Sequence, residues 1–372
     1  MSAPMRRPRI KPTHRPVRQG LHEVRIGGVV EGVGDLVDDP DGWVWALVHL
    51  LDGKRTVQQI SAELRMRFPH RSEGHLTAAL DRLHAAGHLE DAAEPEPTRL
   101  TQAELERYSR NAELFSWMDR KPRRSRWEAQ MTLKDAAVVV LGLGGVGGIA
   151  ALALAASGVG HVHCVDGDVV EPSNLSRQLT YHAEDVGAPK AEAAVRRLRA
   201  CNPHVLVTGE VRHLDHLDDV LQVVAGFDVV LLAADRPADI RSWTNRVCHE
   251  SRVPWVYGGY HGPLSKVGAY RPGTGPCYDC ARAAERERLA GLPPRTTWSP
   301  SSEAVLPLHA TSAVTAGLTG LFAAESVISL LTGVPALPVN RISDLNFVSR
   351  HYDLNTGPDV PHPDCPTCGG VD

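Results

Sequence analysis

The chain has 372 residues, 42% hydrophobic and 23% charged, with a formal net charge of −4 at neutral pH. That length allows two or three domains, and the apolar share suits a globular protein better than a disordered one. The near-balanced charge gives no overall attraction to nucleic acid or to an anionic membrane, so neither is expected as a partner. The basic start (Arg6, Arg7, Arg9, Lys11) runs into Pro and Arg instead of an apolar stretch. No secretory signal is read there, and a cytoplasmic protein is expected.

In chain order, residues 1–20 show no apolar period and are rich in Pro and Arg, which predicts a disordered basic arm. Residues 21–92 read as a small winged-helix-like α+β domain. Short extended stretches at His22–Ile26 and Gly34–Val37 precede an apolar run at Trp43–Leu51. Thr56-x-x-Gln59 is a capping box that opens a helix, and Leu76, Leu80 and Leu83 share one face of another, which Gly87 ends. Glu90 to Pro97 reads as linker, and 93–104 as the connection to a main domain over 105–372. There strands at Ala136–Leu141, His161–Val165, Val205–Thr208, Asp228–Leu232 and Val253–Tyr257 alternate with helices at Gly148–Ser157, Lys190–Ala200, Leu214–Ala225 and Arg236–Ser251. Such alternation predicts a Rossmann-like, mostly parallel sheet with helices on both faces. The apolar run Thr311–Leu337 contains Glu325 and several glycines and reads as a buried helix.

Gly142, Gly144, Gly145 and Gly147 form a Gly-rich loop between a predicted strand and a predicted helix. Glycines permit the tight turn, and a helix N-terminus favours phosphate. Asp166 and Asp168 close the next strand, where such folds put an acid on ribose hydroxyls. To that point a nicotinamide dehydrogenase fits equally well. Asn174, Arg177, Gln178 and Lys190 follow, and cations gathered beyond the ribose acids suit a triphosphate and its pyrophosphate leaving group. Taken singly, Arg177 and Lys190 could be solvated surface cations; their joint spacing favours ATP. Asp235, just past the strand Asp228–Leu232, stands where open α/β sheets bind ligands and could hold Mg²⁺ or cap the following helix.

Four of the seven cysteines form two Cys-x-x-Cys pairs, Cys277/Cys280 and Cys365/Cys368. Two such pairs favour a closed, structural Zn²⁺ site over a redox pair or a disulfide framework.

These motifs resemble the ThiF/MoeB/HesA family, the adenylating relatives of ubiquitin-activating enzymes, from Arg107 to the C-terminus. Arg107-Tyr108-Ser109-Arg110-Asn111 is similar to the family's opening motif, and the resemblance makes Arg110 the arginine that reaches ATP in a neighbouring subunit, so a homodimer is implied. It places Gly142–Gly147, Asp166, Asp168, Asn174, Arg177, Gln178 and Lys190 on the ATP set, Asp235 on magnesium and the four cysteines on zinc. One departure is Arg236, where the family usually has Asn. Some relatives carry a thioester-forming cysteine in the crossover loop; here 281–308 contains none.

From Leu21 to Pro95 there are 7 Lys/Arg against 13 Asp/Glu, the wrong sign for gripping a phosphate backbone. The segment resembles instead a PqqD-like precursor-peptide recognition element, in the arrangement of microcin C-type and other leader-binding ThiF-like proteins. That resemblance implies adenylation of a carboxylate on a ribosomally made precursor peptide, with a downstream modifying enzyme as a further partner. Adenylation of a ubiquitin-like sulfur carrier, or a non-catalytic leader-binding scaffold, are the alternatives.

Overall fold

The computed structural model describes residues 5–28, 30–293 and 310–369, for 354–356 the backbone alone. The chain divides into two compact units, Met1–Thr132 with Val334–Ala336, and Leu133–Gly333 with Leu337–Asp372.

The first unit contains β1 (Pro8–Ile10), β2 (Val17–Gln19), β3 (Glu23–Ile26), β4 (Asp35–Asp38), α1 (Trp43–Leu50), α2 (Val57–Arg67), α3 (Glu73–Ala85), β5 (Leu89–Asp91) and α4 (Gln102–Met118). Strands β2, β3 and β4 make an antiparallel sheet, and β1 pairs with β5. Val24 and Ile26 of β3 pack with Trp43, Leu47, Ile60, Leu64, Leu76 and Leu83 in one core. The predicted capping box is present, with Thr56 Oγ1 accepting from Gln59 N and Gln59 Oε1 from Thr56 N. Gly87 takes φ +74° at the end of α3, where any side chain would meet the Arg120 backbone at 2.6 Å.

Two expectations are corrected here. The stretch 1–20 is not a disordered arm over its described part, because its charges are matched. Arg9 Nη2 meets Glu90 Oε1 at 2.6 Å, and the buried Lys11 Nζ donates to the carbonyls of Ser116 and Asp119 at 3.0 and 2.8 Å. Nor is 90–97 linker throughout. Glu90 and Asp91 are buried in β5, where the Asp91 carboxylate accepts from the backbone N–H of Arg6 and Arg7. Acidic composition hid a strand whose partners lie about eighty residues upstream.

His14 is buried beside these contacts. Its Nε2 lies 2.8 Å from the Trp117 carbonyl, its Nδ1 2.9 Å from His88 Nδ1, and His88 Nε2 2.7 Å from Asp35 Oδ2. Burial above all pushes the His14 pKa from 6.5 down to about 4. Between those values the unfolded chain takes up a proton that the folded chain does not, so stability falls as pH falls through that window. His14→Gln should flatten the pH dependence of this unit's melting between pH 6.5 and 4. An unchanged slope in calorimetry would contradict the assignment.

Helix α5 (Glu128–Asp135) crosses the division. The second unit then runs β6 (Ala137–Leu141), α6 (Gly145–Ala156), β7 (His161–Val165), α7 (Lys190–Cys201), β8 (Leu206–Glu210), α8 (Leu217–Val224), β9 (Val229–Leu232), α9 (Ile240–Ser251), β10 (Trp255–His261), β11 (Leu264–Tyr270), α10 (Tyr278–Ala290), α11 (Ala313–Thr332), β12 (Arg341–Asn346) and β13 (His351–Thr356). Their sheet has the order β8-β7-β6-β9-β10-β11-β12-β13. It is parallel from β8 to β10 and antiparallel from β10 to β13. The predicted Rossmann-like half is thus present, extended by an antiparallel wing that helix-spaced strands did not announce.

Among the described residues, only α11 is long and apolar enough to cross a membrane; it packs on α6, β10 and β11, with half of its apolar window buried. The crossover loop expected over 281–308 is corrected at its start, since α10 holds residues up to Ala290 in helix. Residues 294–309 lie outside the described residues.

Candidate active site

The strand order reverses at β6, which has β7 on one side and β9 on the other. Ligands of open α/β sheets bind beyond the carboxyl ends of strands at such a point. The Gly-rich loop leaves β6 here, and packing dictates its glycines. Gly142 has φ +89°, and a Cβ there would lie 2.6 Å from Ala234 N; a Cβ at Gly147 would lie 1.8 Å from the Gly142 carbonyl oxygen; one at Gly145 would meet Ala316 and Arg177 at 2.8 Å. Gly144 is different. It caps α6, and the nearest atom to its missing Cβ is Gln178 Nε2 at 3.9 Å, so this position stays open at a helix N-terminus.

Asp166 fastens the loop. Its Oδ2 accepts from Leu143 N at 2.6 Å and its Oδ1 from Asp168 N at 2.8 Å, while burial raises its pKa. Asp168 has a mostly exposed side chain and pairs with the buried Lys190, Nζ to Oδ2, at 2.8 Å. The same two residues are joined by a backbone bond from Lys190 N to Asp168 O at 2.9 Å. Asn174 is buried and accepts from Glu171 N at 3.1 Å. Arg177 is half-buried, its Nη1 donating to the Ser173 carbonyl at 2.8 Å. Gln178 is buried next to Gly144, and its Oε1 has no hydrogen-bond partner among the described residues. A buried amide oxygen without a partner costs about 1–3 kcal/mol, which a ligand donor can recover.

Asp235 is exposed three residues past β9. The N–H groups of Ala233 and Ala234 both donate to the Leu141 carbonyl, at 2.8 and 3.0 Å, and hold this turn against the Gly-rich loop. The predicted set Gly142–Gly147, Asp166, Asp168, Asn174, Arg177, Gln178, Lys190 and Asp235 is therefore gathered at one end of one sheet. Arg110 lies exposed on α4 in the first unit. Tyr181 is a residue that sequence reasoning missed: its buried hydroxyl donates to the Leu143 carbonyl at 2.8 Å and braces the loop from below. Only its position after the Asn174–Gln178 motif could have marked it.

The two cysteine pairs converge although about 85 residues separate them. Cys277 caps α10, Cys280 lies in its first turn, and Cys365 and Cys368 return from the C-terminal segment. All four Sγ atoms lie within 4.8 Å of one another, with closest approaches of 3.2–3.8 Å. A disulfide needs about 2.05 Å, whereas four sulfurs about 2.3 Å from one Zn²⁺ stand about 3.8 Å apart. Asn245 Nδ2 donates to Cys277 Sγ and His362 N to Cys280 Sγ, both at 3.3 Å, as thiolate ligands require. Burial pushes the Cys277 thiol up, so a cation is what would hold that sulfur ionised. Asp279 ties the knuckles together, accepting from Ser242, Asn245 and Thr367. The donor set fits Zn²⁺.

Comparisons with known proteins identify the family. The ThiF family model matches residues 108–367. The SAMP-activating enzyme E1 of Haloferax volcanii is 36% identical over 66% of this chain and 85% of its own length. The sulfur carrier protein ThiS adenylyltransferase of Bacillus subtilis is 31% identical over 65% of this chain and 68% of its own. Among solved structures, E. coli MccB is similar with a TM-score of 0.75 and 21% identity, covering 97% of this chain and 96% of that one. The chain belongs to the ThiF family, as an adenylyltransferase that uses ATP.

Proposed function

We propose that this chain adenylates a carboxylate of a ribosomally made precursor peptide, with its first unit as the peptide-recognition domain. One observation carries this reading. The family model begins at residue 108, while the likeness to MccB covers 97% of the chain and so takes in the first unit as well. MccB, a microcin C7 biosynthetic enzyme, has been solved with AMPCPP and MccA, and in complex with N-formylated MccA.

In the reaction proposed, a carboxylate oxygen attacks the α-phosphorus, the bond to the bridging oxygen breaks, and pyrophosphate leaves. No general base is needed, because a carboxylate is ionised at neutral pH. Arg177 and Lys190 offset phosphate charge, Gly144 admits the phosphates to the helix N-terminus, and Asp168 and Asn174 orient the nucleotide. A magnesium ion held by Asp235 would supply further charge on the departing pyrophosphate. Arg110 would act on the site of a second copy in a homodimer, and Zn²⁺ on Cys277, Cys280, Cys365 and Cys368 would be structural. A cytoplasmic location and a downstream modifying enzyme complete the reading.

The names of the curated relatives favour a second reading, adenylation of a sulfur-carrier C-terminus. Hydroxylamine trapping separates them. Incubated with ATP and a candidate precursor peptide, the protein should yield a peptide hydroxamate that mass spectrometry locates. Hydroxamate on a sulfur carrier and on none of the peptides would overturn the peptide reading.

A further inference from the structure

The parallel half of the second unit's sheet ends unevenly. Strand β10 pairs with β9 only through Trp255–Tyr257, opposite Val230–Leu232, so Gly258, Gly259, Tyr260 and His261 run on past the end of β9. Past that end comes the turn that carries Asp235, and α9 follows from Ile240. Paired residues of antiparallel strands share a face, and side chains alternate along each strand. Tyr257 and Gly259 therefore look to the same side as Lys266, which stands directly opposite Gly259, and as Asp344, directly opposite Lys266. Helix α9 lays Arg241 on that side. Its guanidinium is 5.7 Å from the centroid of the Tyr257 ring. Apart from chain neighbours, its Nη2 is the only described atom within 4 Å of where a Cβ on Gly259 would stand, at 3.4 Å. The space above Gly259 is thus open and flanked by two cations, Arg241 from α9 and Lys266 from β11.

Neither cation is fully matched. Arg241 is half-buried yet makes no hydrogen bond or ion pair among the described residues. Lys266 has Asp344 at 3.7 Å, too long for a hydrogen bond. Burial strips water from a guanidinium and leaves its N–H donors in want of an acceptor. A carboxylate fits that fork with two parallel bonds, and the lysine across the glycine adds charge from the other side. Position says whose carboxylate it is. Asp344 and, opposite it, Asp353 continue the row away from β9, so the positive end of the row is the end nearer the nucleotide site. The residues proposed for the phosphates gather at the loop that leaves β6. Gly259 is on β10, two strand spacings or roughly 10 Å from β6, about the reach of three extended residues. A group held there is not the carboxylate at the α-phosphate but one a few residues from it in the same chain.

We infer that Arg241 and Lys266 are substrate-binding residues that hold a second carboxylate of the peptide, within about three residues of the one that is adenylated. The substrate segment at this site is then acidic, with one carboxylate reacting and another gripped. Gly259 belongs to the same device, because a large side chain there would cover the guanidinium. This inference rests on the reading of the substrate as a peptide.

Synthetic hexapeptides test it on the full chain by ATP–pyrophosphate exchange, at millimolar concentration so that recognition elsewhere on the chain is not needed. One series has a free C-terminus and one Glu among its last four residues; the other is capped at both ends and has two Glu one to three positions apart. In matched peptides Gln replaces one Glu. The diacids should show a KM about ten- to a hundredfold below that of their Gln counterparts. Arg241→Ala should erase this difference by raising KM for the diacids while KM for ATP stays put, and Gly259→Leu should do the same by filling the space over the guanidinium. Arg241→Glu should reverse the preference, toward peptides with Lys in place of the second Glu. Lys266→Gln, at a more exposed site, should give a smaller loss of the same kind and serves if the Arg241 variants do not fold. If Glu and Gln peptides exchange alike, the inference is wrong and the peptide reading stands. If Arg241→Ala raises KM for ATP and spares the peptides, the cation serves the nucleotide and the inference is wrong as well. If no peptide of either series supports exchange, the peptide reading fails and the inference with it.

Discussion

Asp235→Ala should lower ATP–pyrophosphate exchange by about a hundred- to a thousandfold and leave peptide binding unchanged. The reason is position. Asp235 follows β9 on a turn held by two hydrogen bonds to the Leu141 carbonyl, beside the loop that leaves β6. A carboxylate there can bind a cation shared with phosphate oxygens, and losing one preorganised electrostatic element of an active site commonly costs 10²–10³ in rate. Nothing in the first unit's core depends on it, so peptide affinity should not move. Melting should also be unchanged, since Asp235 is exposed. If turnover survives, Asp235 holds no catalytic cation. Mixing inactive Asp235→Ala and Arg110→Ala proteins extends the test: if Arg110 serves the partner's site, mixed dimers contain one intact site and recover activity. Absence of recovery would place Arg110 in its own chain's site or outside catalysis.

The second large effect concerns the four cysteines. Wild-type protein should carry one zinc per chain, and Cys280→Ser should lose it, with a fall in melting temperature of about 10 °C. That shift corresponds to about 3 kcal/mol in a unit of this size, well below the binding energy of structural zinc in small domains. The site joins the start of α10 to a C-terminal segment that has little other core of its own, so the segment around Cys365 and Cys368 should become sensitive to protease in the variant. Stoichiometric zinc retained by Cys280→Ser, or none in wild type, would contradict the assignment.

Much of this was legible in the sequence, for physical reasons that differ by region. Continuous apolar runs such as Val138–Leu141 and Val229–Leu232, too short for buried helices and set between helical segments, read as buried strands, and the chemistry-bearing residues follow them at short distances. The site motifs are therefore local and readable. The antiparallel strands β11, β12 and β13 are not, because their residues mix polar and apolar types and their pairing is settled by distant partners. The same applies at the N-terminus, where Lys11 is buried by carbonyls more than a hundred residues away and nothing in its neighbourhood says so. Its place after β7 makes Asp166 a candidate ribose ligand. Its two hydrogen bonds to Leu143 N and Asp168 N add a bracing role that only coordinates reveal.

The central claim, ATP-dependent activation of a peptide carboxylate, is tested most directly by exchange of labelled pyrophosphate into ATP. Purified protein should show exchange that depends on the cognate precursor peptide and disappears when its reacting carboxylate is replaced by an amide. Exchange driven by a sulfur carrier but by no precursor peptide, or tight peptide binding with no exchange at all, would contradict the account.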